Sequence, residues 1–291
     1  MAKLLLLSVI TLFLLRFCCG CIEREAHALL IFKAGLTDSA GLLSAWGKGR
    51  DCCLWDGISC DNTTHHVVGV NITGFSHSPE MEGIISESLC TLTFVATVNL
   101  SGIGFTGTIP HCFTKLSSLA LLDLSNNSLS GDIPPFSNSS SLTYLDLSWN
   151  LLTGSIPPCF TKLPSLAQLY LSHNSLSGNI PPSMSNLSSL TILHLWHNGL
   201  TGSIPSSLSD LSSLTSLDLS YNKLTGSIPS PLSNIFSLSS LDFSFNKLTG
   251  SIPSSFSYLS SLTILYLSNN QLTGSIPSSL SNLSSLTTLH L

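Results

Sequence analysis

His173, His194 and His197 crowd into one short stretch of a 291-residue chain in which only 9% of the residues are charged. Three imidazoles are raw material for a zinc centre, but no carboxylate joins them and their spacing is not that of a catalytic site. No metal ion is therefore expected. Unperturbed imidazole titrates near ~6.5, so a pH-sensitive contact is one use of the three, and inert surface histidine the plainer one. Serines are numerous enough to assemble a Ser-His-Asp trio by accident, yet no nucleophile elbow or oxyanion motif accompanies them. The last glutamate is Glu87 and the last arginine Arg50. Glutamate acid–base chemistry is thus absent from most of the chain, and no basic cluster exists to meet a phosphate backbone. Neither an enzyme, nor a cofactor, nor a nucleic-acid partner is expected. Recognition is the chemistry left.

The histidines belong to a repeating sentence. "LDLSYNKLTGSIPS" at 217–230 returns as "LDFSFNKLTGSIPS" 24 residues later and as "LYLSNNQLTGSIPS" 24 after that. The G-x-I-P tetrad stands at Gly107, Gly131, Gly154, Gly178, Gly202, Gly226, Gly250 and Gly274, every 24 residues with one 23. This period, on L-x-x-L-x-L-x-x-N-x-L, is the signature of a leucine-rich repeat solenoid. In "LTSLDLS" alternation turns Leu217 and Leu219 inward and Ser216, Asp218 and Ser220 outward. Leu224 fills the core, Gly226 permits a tight bend, Pro229 ends strand pairing, and Leu232 and Ile235 cover the convex side. Asn127, Asn150, Asn174, Asn198, Asn222, Asn246 and Asn270 should form an inward ladder bonding backbone groups, broken in the preceding rung by Ile103. Ten strands are placed at 68–72, 97–100, 121–124, 144–147, 168–171, 192–195, 216–219, 240–243, 264–267 and 288–291. The 23-residue rung puts Ser where its neighbours have Leu116 or Leu163, and local opening is expected there first. No polar cap follows Leu291, so a fragment, a truncated copy or a covered end is expected.

Fixed letters build the scaffold and changing letters make its surface. The central outward column carries Asp146, Tyr170, His194, Asp218, Asp242 and Tyr266. The strand-exit column carries Trp149, His173, His197, Tyr221 and Phe245, with Trp196 beside it. With rungs ~4.8 Å apart these rings should form a continuous ridge, and the aspartates should supply acceptors beside it. Those twelve residues are the candidate ligand-binding set. Shielding of the strand exit is the alternative use of the aromatics.

The N-terminus reads as a leader, residues 1–20: Lys3, a 12-residue apolar run from Leu4 to Leu15, and small residues ending at Gly20. That run is too short to span a bilayer, and no other exists. Secretion makes disulfides available to the remaining cysteines. Cys90 and Cys112 lie on adjacent rungs and can pair; Cys112 and Cys159, two rungs apart, cannot. Candidate glycosylation sites are Asn62, Asn71, Asn99, Asn126, Asn138, Asn186 and Asn282. Glycans on Asn71 and Asn99 would shade the first rungs.

Residues 21–60, "CIEREAHALLIFKAGL…SAWGKGRDCCLWDGISC", resemble the N-terminal cap of plant extracellular leucine-rich repeat proteins, and L-x-x-L-x-L-S-x-N-x-L-x-G-x-I-P is similar to the plant subtype of repeat. The resemblance implies receptor-like proteins, receptor-kinase ectodomains or polygalacturonase inhibitors. It implies bridges Cys21–Cys52 and Cys53–Cys60, and Trp55 in the cap core. Independently, a helix at about 23–35 with Ala26, Leu29, Leu30 and Phe32 apolar can cover the first rung, and two bridges would add about 2–4 kcal/mol each. No kinase signature is present, and without arginine in the repeats the Arg-x-Arg peptide-binding mode of some such receptors is unavailable. The expected architecture is an α/β right-handed solenoid with a concave parallel sheet, a disulfide-stapled N-terminal helical cap at 21–66, a solenoid at 67–291 and no C-terminal cap. The expected function is a secreted (apoplastic) or plasma-membrane-surface recognition module for a peptide, protein or wall-derived ligand or a co-receptor, in plant signalling or defence. The alternative is an inhibitor of a secreted wall-degrading hydrolase.

Overall fold

The computed structural model describes residues 20–39, 41–47, 51–73, 81–136 and 139–291. The leader, apart from Gly20, and Asn138 lie outside these residues.

Among the described residues the concave sheet has eleven strands rather than ten. Ten are parallel and lie within one residue or two of the expected positions: Val67–Asn71, Thr97–Asn99, Leu121–Asp123, Tyr144–Asp146, Gln168–Tyr170, Ile192–His194, Ser216–Asp218, Ser240–Asp242, Ile264–Tyr266 and Thr288–His290. The eleventh, Ile58–Cys60, comes from the cap and pairs antiparallel with Val67–Asn71. Register is fixed residue for residue, Leu193 beside Leu217 beside Leu241, so same-phase side chains form columns. Those inward leucines are fully buried. Each contributes roughly 1.5–3 kcal/mol, but only once the next turn covers it.

The helix Glu23–Ala34 closes the first end with Ala28, Leu29 and Phe32 buried, while Ala26 and Leu30 are partly buried against the core. Trp55 is buried and stacks on Trp46, ring centroids 5.3 Å apart. Cys21–Cys52 and Cys53–Cys60 bridges tie the cap together, and Cys90–Cys112 joins successive rungs. Glu25 is fully buried, a placement its charge did not suggest. Its carboxylate accepts the Val67 N–H at 2.7 Å and meets His66 Nδ1 at 2.8 Å, which satisfies the backbone where the sheet begins.

Two features were not expected. Short 3-10 turns such as Ser206–Asp210 and Ser230–Asn234 line the convex side. Between them and the concave sheet runs a second set of parallel strands, including Ser177–Asn179, Gly199–Thr201, Thr225–Ser227 and Lys247–Gly250. Its strands fall on the L-[ST]-G-x segment, and Gly226, inside Thr225–Ser227, takes φ 76°, a left-handed angle that glycine adopts without steric cost. In the short rung, Ser139 is fully buried and its hydroxyl has no hydrogen-bond partner. That is a local cost which a leucine there would replace with packing.

Candidate functional site

The ladder that positions the site is built by asparagine. Asn222 accepts the Leu200 N–H at 3.0 Å through Oδ1, and its Nδ2 donates to the carbonyls of Leu195, Leu219 and Ser220 at 3.0, 3.2 and 3.1 Å. Asn150, Asn174, Asn198, Asn246 and Asn270 repeat the pattern. Where Ile103 stands in place of an asparagine, the side chain is simply buried, and Asn127 of the next rung caps the Gly104 and Phe105 N–H groups.

Immediately before each asparagine the backbone turns left-handed. Asn126, Trp149, His173, His197, Tyr221, Phe245 and Asn269 have φ between 51° and 57°. This conformation aims two successive N–H groups at the next rung: Trp149 N–H reaches the Ser172 carbonyl at 2.9 Å and Asn150 N–H the His173 carbonyl at 3.0 Å. It costs an L-residue roughly 1–2 kcal/mol, least for asparagine. Asn126 and Asn269 show the inexpensive solution; five rungs between them carry rings instead.

The rings meet. Trp149 stacks on His173 at 3.4 Å, His173 on His197 at 4.3 Å, and Tyr221 on Phe245 at 4.1 Å. The step from His197 to Tyr221 is wider, 6.2 Å, so the ridge is a trio and a pair rather than one uniform stack. Trp149, Tyr221 and Phe245 stay exposed. Trp196 stands edge-on to His173 at 4.1 Å and to Trp149 at 6.2 Å. Tyr170 meets His194 edge to face at 5.2 Å, and His194 Nε2 bonds Ser216 Oγ at 2.9 Å. Tyr266 leans on His290 at 4.7 Å near the far end of the sheet and makes no ring contact with the ridge among the described residues. Burial holds both His173 and His194 below the ordinary imidazole value, for His173 with help from His197. His173 and His197 stack on each other, while His194 turns to Ser216 on the next rung.

The aspartates are less free than alternation implies. Oδ1 of Asp146, Asp218 and Asp242 accepts both the N–H and the hydroxyl of the serine two residues on, at 2.6–2.9 Å. Those serines are buried, which their outward phase did not indicate. Three rungs between Asp123 and Ser268 depart from this Asp-x-Ser unit, one of them at Tyr266 near the far end. The other two are adjacent: Tyr170 replaces the aspartate on one, and on the next His194 and Trp196 replace both partners. Ser172, 3% exposed, is left with no hydrogen-bond partner, and so is His173 Nε2. Sequence reading missed this defect, although the broken D-x-S pattern was its visible sign.

Residues 22–61 match the leucine rich repeat N-terminal domain, and residues 132–176, 188–248 and 236–291, half of the chain, match the leucine rich repeat family. The chain is a leucine-rich repeat protein. Among relatives of this leucine-rich repeat protein is the tomato (Solanum lycopersicum) receptor-like protein EIX2, 41% identical over 39% of this chain and 12% of that one. The ectodomain of the Arabidopsis receptor kinase HAESA, solved with an extended IDA peptide hormone, matches with TM-score 0.80 at 37% identity, over 92% of this chain and 45% of that one. A plant ice-binding protein matches with TM-score 0.71 at 29% identity, over 93% of this chain and 95% of that one. The chain thus spans about half of the HAESA ectodomain and a small part of EIX2. No helix among the described residues is long and apolar enough to cross a membrane.

In this leucine-rich repeat protein two concave carboxylates, Asp146 and Asp218, work against the fold at neutral pH. Burial, opposed by the Ser220 bonds and reinforced by Asp242, pushes Asp218 up to about 6 from 3.8. Burial likewise raises Asp146, with Asp123 adding to it. A group whose pKa is raised on folding stabilises most below its unfolded value, and that contribution disappears as pH rises through its folded value. Asp218→Asn keeps the Oδ1 acceptor and removes the charge. The variant should therefore melt higher than the parent at about pH 7 and show no such gain at about pH 4; a scan in which the difference does not grow with pH would refute the reading.

Proposed function

We propose that the concave face is a recognition surface for an extracellular peptide, in the manner of plant receptor ectodomains acting in signalling or defence. The observation that carries the reading is the ridge at Trp149, His173, His197, Tyr221 and Phe245. Each ring occupies a left-handed backbone position that asparagine fills at lower cost on the rungs flanking the ridge, and four of the five remain exposed. Strained positions that hold large stiff side chains toward solvent are typical of binding sites. The likeness to HAESA, solved with a peptide hormone, supports the same reading. Asn126, exposed and one rung before Trp149, sets one limit of the surface if it is glycosylated. The test is to pan a random peptide library on the intact protein and on a variant with Trp149 and Tyr221 replaced. Sequences enriched by the first and not by the second support the proposal, and identical enrichment by both removes it.

A different face favours a second reading. On the lateral strands the exposed hydroxyls form an offset grid: Ser203 lies beside Thr225, and Ser227 beside Thr249. Neighbours sit ~4.8 Å apart across rungs and ~6.7 Å apart along a strand. A rigid lattice of hydroxyl and methyl groups can hold an ordered water layer, and a solved ice-binding protein of matching extent shares the fold. If this face adsorbs to ice, the protein slows ice recrystallisation and Ser227→Tyr with Thr249→Tyr abolishes the effect. Equal crystal growth with and without the protein would eliminate this reading.

A further inference from the structure

The concave acids are not evenly spread. Asp123 and Asp146 are paired neighbours on adjacent strands, and so are Asp218 and Asp242. Between the pairs lie the two rungs of Tyr170 and His194, with no carboxylate in the column. The defect described above sits in that gap. Ser172 Oγ lacks the aspartate that every flanking serine bonds, and His173 Nε2 is equally unpartnered, with the Trp196 indole edge-on beside it. Burying two polar groups unpaired is costly, and a ligand atom that reaches them recovers that cost. Trp196 stands where Ser148, Ser220 and Ser244 stand on other rungs, and its indole, edge-on to the His173 ring at 4.1 Å, is the neighbouring side chain whose rotation would open the way to His173 Nε2.

Spacing then selects the ligand. From Asp146 to Asp218 is three rungs, ~14 Å, and an extended peptide advances ~3.4 Å per residue, so its residues i and i+4 are also ~14 Å apart. Residues i, i+2 and i+4 share one face of such a peptide. Residue i+2 then falls between the rungs of Ser172 and Trp196.

We propose that this face reads an extended peptide in register: a basic side chain at i against Asp123 and Asp146, a small oxygen-bearing side chain (carboxylate, carboxamide or hydroxyl) at i+2 on Ser172 and His173 once Trp196 turns aside, and a second basic side chain at i+4 against Asp218 and Asp242. The inference rests on concave-face peptide recognition and adds the chemistry of the peptide. The raised values of Asp146 and Asp218 agree with carboxylates that lack a counter-ion.

Two synthetic nine-residue peptides of identical composition test it, one with Lys, Asp and Lys at positions 3, 5 and 7, the other with Lys, Lys and Asp there. Titrated into the intact protein while tryptophan emission is followed, the first should bind at least about tenfold tighter and shift the emission, the mark of a moving indole. Trp196→Ser should reduce the preference to under about threefold, because Ser172 and His173 no longer wait behind a closed ring. Asp218→Asn should weaken the first peptide and leave the second nearly unchanged. Equal affinities overturn the register, as does failure of both peptides to bind at millimolar concentration. If both bind equally and replacement of Trp149 and Tyr221 weakens both, the register falls while concave recognition stands.

Discussion

Replacing Asn222 by alanine lowers the unfolding free energy by about 2–3 kcal/mol, several times the cost of an ordinary surface change. The side chain is buried, and its loss strands the Leu200 N–H of the preceding rung, which water cannot reach without opening the turn, while the Leu195 carbonyl keeps its bond from Asn198 Nδ2 at 3.1 Å. Each unmet backbone group costs roughly 1–3 kcal/mol. Chemical denaturation measures the total, and amide exchange at Leu200 shows where it falls, because each rung of a solenoid depends on its neighbours. A loss below about 1 kcal/mol would mean that the ladder contributes little.

The second large effect is on binding. Peptides selected on the wild-type protein should lose at least about 100-fold in affinity for the Trp149→Asn, Tyr221→Asn variant, since two aromatic anchors at about 2 kcal/mol each exceed that ratio. Asparagine is the right replacement because Asn126 and Asn269 hold the same backbone angle in the same column. Alanine would confuse lost contact with backbone strain. Removing Trp149 also frees one face of His173, so an unchanged melting temperature must accompany the binding loss. Retained affinity in a folded variant would leave the ridge as a cover for the strand exit.

The sequence made the solenoid legible because its rules are local and repeated. Leu217, Leu219, Asn222 and Gly226 each occupy a phase that only one environment suits, and repetition makes those phases unambiguous. The lateral strands were not legible, since "LTGS" carries no alternation and pairs only because the neighbouring rung presents the same four residues. The antiparallel cap strand Ile58–Cys60 and the buried Glu25 depend on contacts between distant segments, which periodicity does not encode. At the site, the columns of rings and acids followed from the period alone. Their mutual geometry did not. That Ser220 is buried beneath Asp218, that the exit residues are left-handed, and that the stack loosens between His197 and Tyr221 are outcomes of packing.

The left-handed exit also restricts how this surface can diversify. Valine, isoleucine and threonine are the residues that tolerate such a φ least. A lineage retuning this column is therefore confined to a short alphabet of asparagine, glycine, histidine and flat rings. Changes of partner must be spelled by exchanging one ring for another, or by editing the neighbouring aspartate column, where the backbone is extended and the constraint is instead the buried serine each aspartate bonds.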